Sequence, residues 1–289
     1  FSARDGYILQ KLYIVIAKSL GLSDLPESTY FYISRRVCNM IRLNHESDIE
    51  RLSKEYFHGD VKEMLINRFM LKEEDLHKRE VIKYKSDLEY IQSFSSEILD
   101  KAAVVKRGYL RYIKALGLTI DENTAFFDLF ASGTCQLALT KLCNKNFKGL
   151  YFSRFFTDDP EKNKLDIESY LEPDSFMEDH SLFIESILTS LEPTLLDIGS
   201  SGELLLGKET RNKEELNYVR NAQEGIISFT KDVLRQVDDI PDIKKKYSRS
   251  IFSMLVSQYT NIENYTFKNI IVRDEILNRN QYLGDFYKY

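Results

Sequence analysis

Apolar residues at Ile8, Leu9, Leu12, Ile16 and Leu20 recur at helical spacing, after an opening Phe1-Ser2-Ala3-Arg4-Asp5 that reads as the end of a strand. Gly6 supplies the break between the two and Gly21 a C-terminal cap. Tyr30-Phe31-Tyr32-Ile33 is an aromatic and β-branched run bounded by polar residues, as in a buried strand. Ser34 stands where it would cap a helix starting at Arg35. Residues 1–42 therefore predict strand, turn, helix, strand, turn, helix, the grammar of a parallel sheet.

The pattern changes over 43–118, which is rich in Glu, Lys, Leu, Ile and Tyr, has no Pro, and carries Gly59 and Gly108 as internal breakers. It predicts several helices, the longest over about 86–116, inserted between strands. The charge run Lys72-Glu73-Glu74-Asp75 reads as a solvated face. Strand grammar returns at 124–130, followed by the turn Ala131-Ser132-Gly133-Thr134, a helix over 135–143 and a strand over 148–153. Residues 157–176, with Asp158, Asp159, Pro160 and Pro173, read as a loop, and 176–191 as a helix. Segments 194–198 and 203–206 fit a short hairpin around Gly199-Ser200-Ser201-Gly202. The chain from Lys213 onward reads as mostly helical. The fold predicted is α/β: a Rossmann-like parallel sheet with a large helical insertion and a helical C-terminal region. The division is an α/β core over 1–155 with its insertion at 43–118, a loop and hairpin segment over 156–212, and a helical region over 213–289.

Composition narrows the class. The 289 residues are 43% hydrophobic and 29% charged, which is globular and excludes a disordered or collagen-like chain. A net charge of −5 argues against broad nucleic-acid binding. Only 5 Pro and 12 Gly favour long helices over many tight turns. Cys38, Cys135 and Cys143 form an odd set without a CxxC pair, which predicts reduced thiols and a cytoplasmic location. No apolar run reaches the ~18–20 residues of a membrane span, and no signal peptide is visible.

Candidate chemistry gathers at the strand ends, beyond which open parallel sheets bind ligands. Three such ends are unusually polar: Ser2-Ala3-Arg4-Asp5-Gly6, Ser34-Arg35-Arg36, and Asp128 followed by Ser132-Gly133-Thr134. Each leads into a helix, whose free N–H groups and partial positive charge suit phosphate. Arg4, Arg35 and Arg36 add forked donors for phosphate or carboxylate, and Ser132 and Thr134 add hydroxyls. The set predicts a crevice for an anionic small molecule such as a phosphosugar or nucleotide sugar. The plainer alternative makes Ser34 and Ser132 helix caps and the arginines solvated or ion-paired. Asp128 is the catalytic candidate; it suits a sugar hydroxyl or a metal-bound phosphate, which keeps a divalent cation such as Mg2+ open as a cofactor.

Other motifs are incomplete. A haloacid-dehalogenase-type nucleophile needs a second aspartate two positions on, but Phe130 follows Asp128 and Gly199 follows Asp197 at that distance. A phosphoribosyltransferase loop is matched in part, with Leu129 where a second acidic residue stands. Asp158-Asp159 before Pro160 reads as a turn. His45, His58, His77 and His180 lack ligand spacing, so no metal ligands are assigned. Cys135 and Cys143 read as core residues of one helix, and Glu192-Pro193 and Gln223-Glu224-Gly225 lie in segments beside a plausible site.

At FSARDGYILQKLY, YFYISRR, FFDLFASGTCQLALTKL, KGLYFS and the stretch from Phe183 to Phe229, the chain resembles a bacterial module with ARDGY, SRR and SGTxQ motifs. That module follows a haloacid-dehalogenase-like hydrolase domain in surface-polysaccharide-associated proteins. The matching positions are Arg4, Asp5, Gly6, Ser34, Arg35, Arg36, Asp128, Ser132, Gly133, Thr134 and Gln136. The resemblance implies a domain of cell-surface glycan synthesis, with a glycosyl- or phosphoryl-transferase reaction open and a fused or partner hydrolase lying upstream of Phe1. The expected function is phosphosugar or nucleotide-sugar binding. The alternatives are a non-catalytic accessory module of that hydrolase and a phosphoribosyltransferase-like enzyme.

Overall fold

The computed structural model describes residues 1–172, 175–236, 247–254, 271–274 and 279–282. Ser2 is extended and forms a parallel bridge with Phe31. It leads directly into α1 (Ala3–Ser19). Arg4, Asp5 and Gly6 therefore occupy the first turn of this helix, not the turn expected before it. The Gly6 N–H closes that turn on the Ser2 carbonyl at 3.1 Å, and an acidic residue suits a helix start.

Ser34 caps α2 (Arg35–Arg42) as expected, its Oγ accepting from the Val37 N–H at 3.2 Å. The insertion then supplies α3 (Glu46–Ser53), α4 (Val61–Asn67), α5 (Glu73–Leu76), α6 (Asp87–Gln92) and α7 (Ser95–Ala115). The single helix expected over 86–116 is broken at Ser93-Phe94. Ser93 Oγ donates back to the Tyr90 carbonyl at 2.7 Å, a local bond that competes with helix continuation. Phe94 at the break is fully buried. The α3–α4 connection wraps a buried cation: Arg68 donates to the carbonyls of Leu52, Glu55 and Tyr56 at 3.0, 2.9 and 2.7 Å.

After the insertion come β1 (Ala125–Ala131), α8 (Thr134–Cys143), β2 (Lys148–Arg154) and β3 (Ile167–Leu171). β3 falls inside the segment expected to be a loop; it is only five residues long, stands between polar flanks, and buries only Leu171. Next are α9 (Ser175–Leu188), the antiparallel pair β4 (Leu195–Ile198) and β5 (Leu204–Leu206), and α10 (Lys213–Leu234). β6 (Ile271–Asp274) and β7 (Arg279–Tyr282) pair antiparallel within the segment that the sequence reads as mostly helical. The β4–β5 hairpin is where the glycines predict it. Its turn presses on α7 at Gly108, where a Cβ would lie 2.1 Å from the Gly199 carbonyl oxygen.

β1, β2 and β3 form a parallel sheet in that order. The N-terminal segments extend it: the Ser2 N–H and Oγ both donate to the Phe127 carbonyl, at 3.3 and 3.0 Å, and the Phe31 N–H donates to the Phe1 carbonyl at 3.1 Å. The expected strands at the N-terminus are thus present as single rungs, and residues from 1–42 and 119–155 share one sheet. In chain order the five extended segments lie 2-1-3-4-5, the arrangement of a doubly wound sheet. α2, α7 and α8 pack together on one side, while α1, α9 and α10 pack on the other. The first side shares one core with the helical insertion, including Val37, Cys38, Phe69, Phe94, Phe126 and Tyr151. The second is smaller and centres on Leu129, Phe130, Leu171, Phe183 and Phe252.

Candidate functional site

In a 2-1-3-4-5 sheet the strand order reverses between the first and third segments, and a crevice opens there beyond the strand ends. Here those neighbours are Ser2 and β1, so the crevice is flanked by the start of α1 and by the residues after β1. Arg4 is exposed and Asp5 half-buried in the first turn of α1. Asp128 on β1 is 9% exposed, and Arg35 is exposed at the first position of α2.

Charge ties these residues together. Burial pushes the Asp5 carboxyl well above its usual range; the negative charges of Glu185 and Asp128 add to this, and Arg4 and Arg35 oppose it. Burial likewise pushes Asp128 up to about 7, against the Leu129 N–H bond and Arg35, with Glu185 raising it further. The Leu129 N–H donates to Asp128 Oδ1 at 3.0 Å. Three carboxyl groups, from α1, β1 and α9, therefore act on one another in a single region that also feels Arg35.

A cationic half adjoins them. Lys162 Nζ donates to Ser132 Oγ at 3.2 Å. Burial, with Arg42 and Arg35, pushes the Lys162 ammonium below its usual range. Arg42 is 3% exposed and pairs with Asp159 at 2.9 Å. Asp159 also accepts from the Glu161 N–H at 3.0 Å, so the Asp158-Asp159 segment is the turn its sequence predicts and anchors the loop that delivers Lys162. Thr134 is half-buried at the first position of α8. Neither Lys162 nor Glu185 is singled out by the sequence pattern. A lysine in a Lys- and Asn-rich loop and a glutamate within an amphipathic helix carry no local signal; the fold alone aims them here.

Several expected ligand-binding residues have structural work instead. Ser34 is the α2 cap described above, and Gly6 is buried inside α1. Arg36 donates to the Ile66 carbonyl at 2.9 Å, which ties α2 to the helical insertion. Gly133 has φ +98° and caps α8, and a Cβ there would lie 2.9 Å from Leu165 Cδ1. Gln136 is 0% exposed. Its Nε2 donates to the Phe147 and Asp166 carbonyls at 3.0 and 3.1 Å, and its Oε1 accepts from Tyr151 OH at 3.1 Å. These bonds brace α8 against the strands and leave no side-chain atom turned toward a ligand.

A cleft lies beside the crevice, between the α1 start, α9, the β4–β5 hairpin and the α10 start. Of the strand-end residues expected in one pocket, only Arg4 lines it; Glu185 lines it as well and so joins it to the carboxyl cluster. Glu192 and Pro193 also stand in its wall. Gln223 stands behind it, donating to the Thr189 carbonyl at 2.7 Å.

Among the described residues, no group of three or more His, Cys, Asp and Glu side chains is placed to hold a metal ion. Cys38 and Cys135 are buried and Cys143 half-buried, all as free thiols. Among the described residues no helix is long and apolar enough to cross a membrane. No protein-family model matches the chain, and no curated protein matches it.

Proposed function

We propose that this chain is a phosphosugar- or nucleotide-sugar-binding domain that works in the cytoplasm in bacterial surface-polysaccharide synthesis, in company with a haloacid-dehalogenase-like hydrolase. The setting rests on the resemblance carried by the ARDGY, SRR and SGTxQ motifs. One observation carries the ligand class: at the switch point of the sheet, Arg35, Lys162 and Ser132 adjoin a cluster of carboxyl groups, Asp5, Asp128 and Glu185. A phosphate suits the first group, because two cations, a hydroxyl and the start of α8 all offer donors. Sugar hydroxyls suit the second, since carboxylates accept the protons they donate.

A transferase reaction is consistent with Asp128. A carboxyl with pKa about 7 holds or accepts a proton near neutral pH, as a general base should. In this role Asp128 takes the proton of an acceptor hydroxyl while that oxygen forms a bond to the anomeric carbon of the bound sugar, as the bond from that carbon to the phosphate oxygen breaks and the phosphate or nucleoside diphosphate leaves with the electron pair.

Calorimetric titration of the full chain with inorganic phosphate and with glucose, galactose, mannose and N-acetylglucosamine 1-phosphates tests the proposal. Arg35→Ala and Lys162→Met should each weaken binding roughly ten- to a hundredfold, the loss expected for one charge-assisted hydrogen bond. Absence of binding by every probe, or unchanged affinity in both variants, overturns it.

A further inference from the structure

We infer that the cleft beside the strand-end crevice is a carbohydrate subsite, which receives the ring of the ligand whose phosphate lies at Ser132 and Lys162. This rests on the proposed function and adds where, and by which groups, the sugar is recognised.

Continuity comes first. Arg4 and Glu185 line the cleft, and both act on Asp5 at the crevice floor.

The chemistry of the wall comes second. Thr189 Oγ1 is a buried hydroxyl with no hydrogen-bond partner among the described residues, and such groups in folded proteins are usually satisfied by protein, water or ligand. Ser186 and Thr194 add hydroxyls, and Arg4 and Lys208 add exposed cations. Leu182, Pro193 and Val219 supply apolar surface between them. Hydroxyls and a carboxylate interleaved with aliphatic carbon match a sugar ring, which presents O–H groups at its edge and C–H groups on its faces. A purely apolar ligand would leave the Thr189 hydroxyl unsatisfied, at a cost.

Rigidity comes third. Arg211 pairs with Glu209 at 2.7 Å and donates to the Ser190 carbonyl at 2.7 Å. Asn212 and Glu215 cap α10 reciprocally, at 2.9 and 2.8 Å. The wall is therefore held before a ligand arrives, which lowers the ordering cost of binding. The cavity measures about 90 Å³.

The test uses Thr189→Val, which keeps the shape of the side chain and removes a hydroxyl that has no partner among the described residues, so the fold is retained. Lys208→Ala at the exposed mouth is the second variant. Calorimetry compares inorganic phosphate with the four hexose 1-phosphates. Each variant should weaken the tightest hexose phosphate about tenfold and leave inorganic phosphate unchanged. Ser132→Ala should weaken both probes. Hexose phosphates that bind no tighter than inorganic phosphate, or cleft variants that leave hexose-phosphate affinity unchanged, overturn the subsite while leaving the anion site standing. Failure of both probe classes to bind overturns the functional proposal and this inference with it.

Discussion

The substitution Asp128→Asn should stabilise the protein, and by an amount that grows with pH. Asp128 is 9% exposed and has the Leu129 N–H at 3.0 Å as its hydrogen-bond partner. Its pKa rises from 3.8 to about 7 on folding. Between those values the folded chain keeps a proton that the unfolded chain has released. Stability therefore falls as pH rises through this window, and the full loss is reached above pH about 7. At 1.36 kcal/mol for each pH unit of displacement, the loss is about 2 kcal/mol at pH 5 and about 4 kcal/mol at pH 8. The amide of the variant cannot ionise, yet retains an oxygen to accept from Leu129. The exchange also removes a negative charge that raises Asp5.

Urea melts followed by circular dichroism, on the wild type and Asp128→Asn at pH 5, 6, 7 and 8, measure this directly. The variant should gain on the wild type at each step upward in pH, with unchanged m. A gain independent of pH, or one that shrinks toward pH 8, would refute the assignment of a buried, proton-retaining carboxyl at this position.

Gly133→Ala should cost about 1–3 kcal/mol in a thermal or urea melt, since it combines a left-handed backbone with a clash against Leu165. Gln136→Leu should cost at least about 2 kcal/mol by leaving the Phe147 and Asp166 carbonyls and Tyr151 OH without their partner, with hexose-phosphate affinity in calorimetry unchanged. Native thiol labelling should modify Cys143 before Cys38 and Cys135, because Cys143 is half-buried, whereas burial and the bond to Cys135 push the Cys38 thiol up; simultaneous rapid labelling of all three would contradict the buried placement.

Much of the architecture is legible in the sequence, because periodicity reports burial. Helices α1, α2 and α8 and the strands β1 and β2 fall close to where their apolar spacing puts them. The failures have local physical causes. The strand expected at the N-terminus shrinks to Ser2 because the next residues are drawn into α1. Tyr30 to Ile33 contributes one bridge at Phe31, since its partner segment is that short. β3 is hidden by its polar flanks. The site divides in the same way. Arg4, Asp5 and Arg35 stand beside the N-terminal rungs, as their sequence context suggests, whereas Asp128 lies in the middle of β1 and not at the strand end where the sequence reading puts it. Lys162 and Glu185 are not legible, because a loop held by Arg42–Asp159 and a helix from across the sheet bring them in. Gln136 misleads for the opposite reason: it sits in a motif whose work is bracing the sheet.

The geometry of the crevice also constrains what can fill it. In its acidic half Asp5 and Asp128 resist ionisation, through burial and the nearby charge of Glu185. In its cationic half, Lys162 is pushed toward neutrality by burial and by Arg42 and Arg35. A bare anion would relieve the cations while adding negative charge near the carboxyls. A neutral sugar would satisfy the carboxyls while leaving the cations crowded. A molecule with phosphate at one end and hydroxyls at the other relieves both, because like-charge repulsion falls on one side and acceptors gain donors on the other. The loss of about 4 kcal/mol carried by Asp128 at pH 8 is a large share of a domain's stability. A feature that costs so much in folding makes sense where its proton, and not its packing, is what the protein uses.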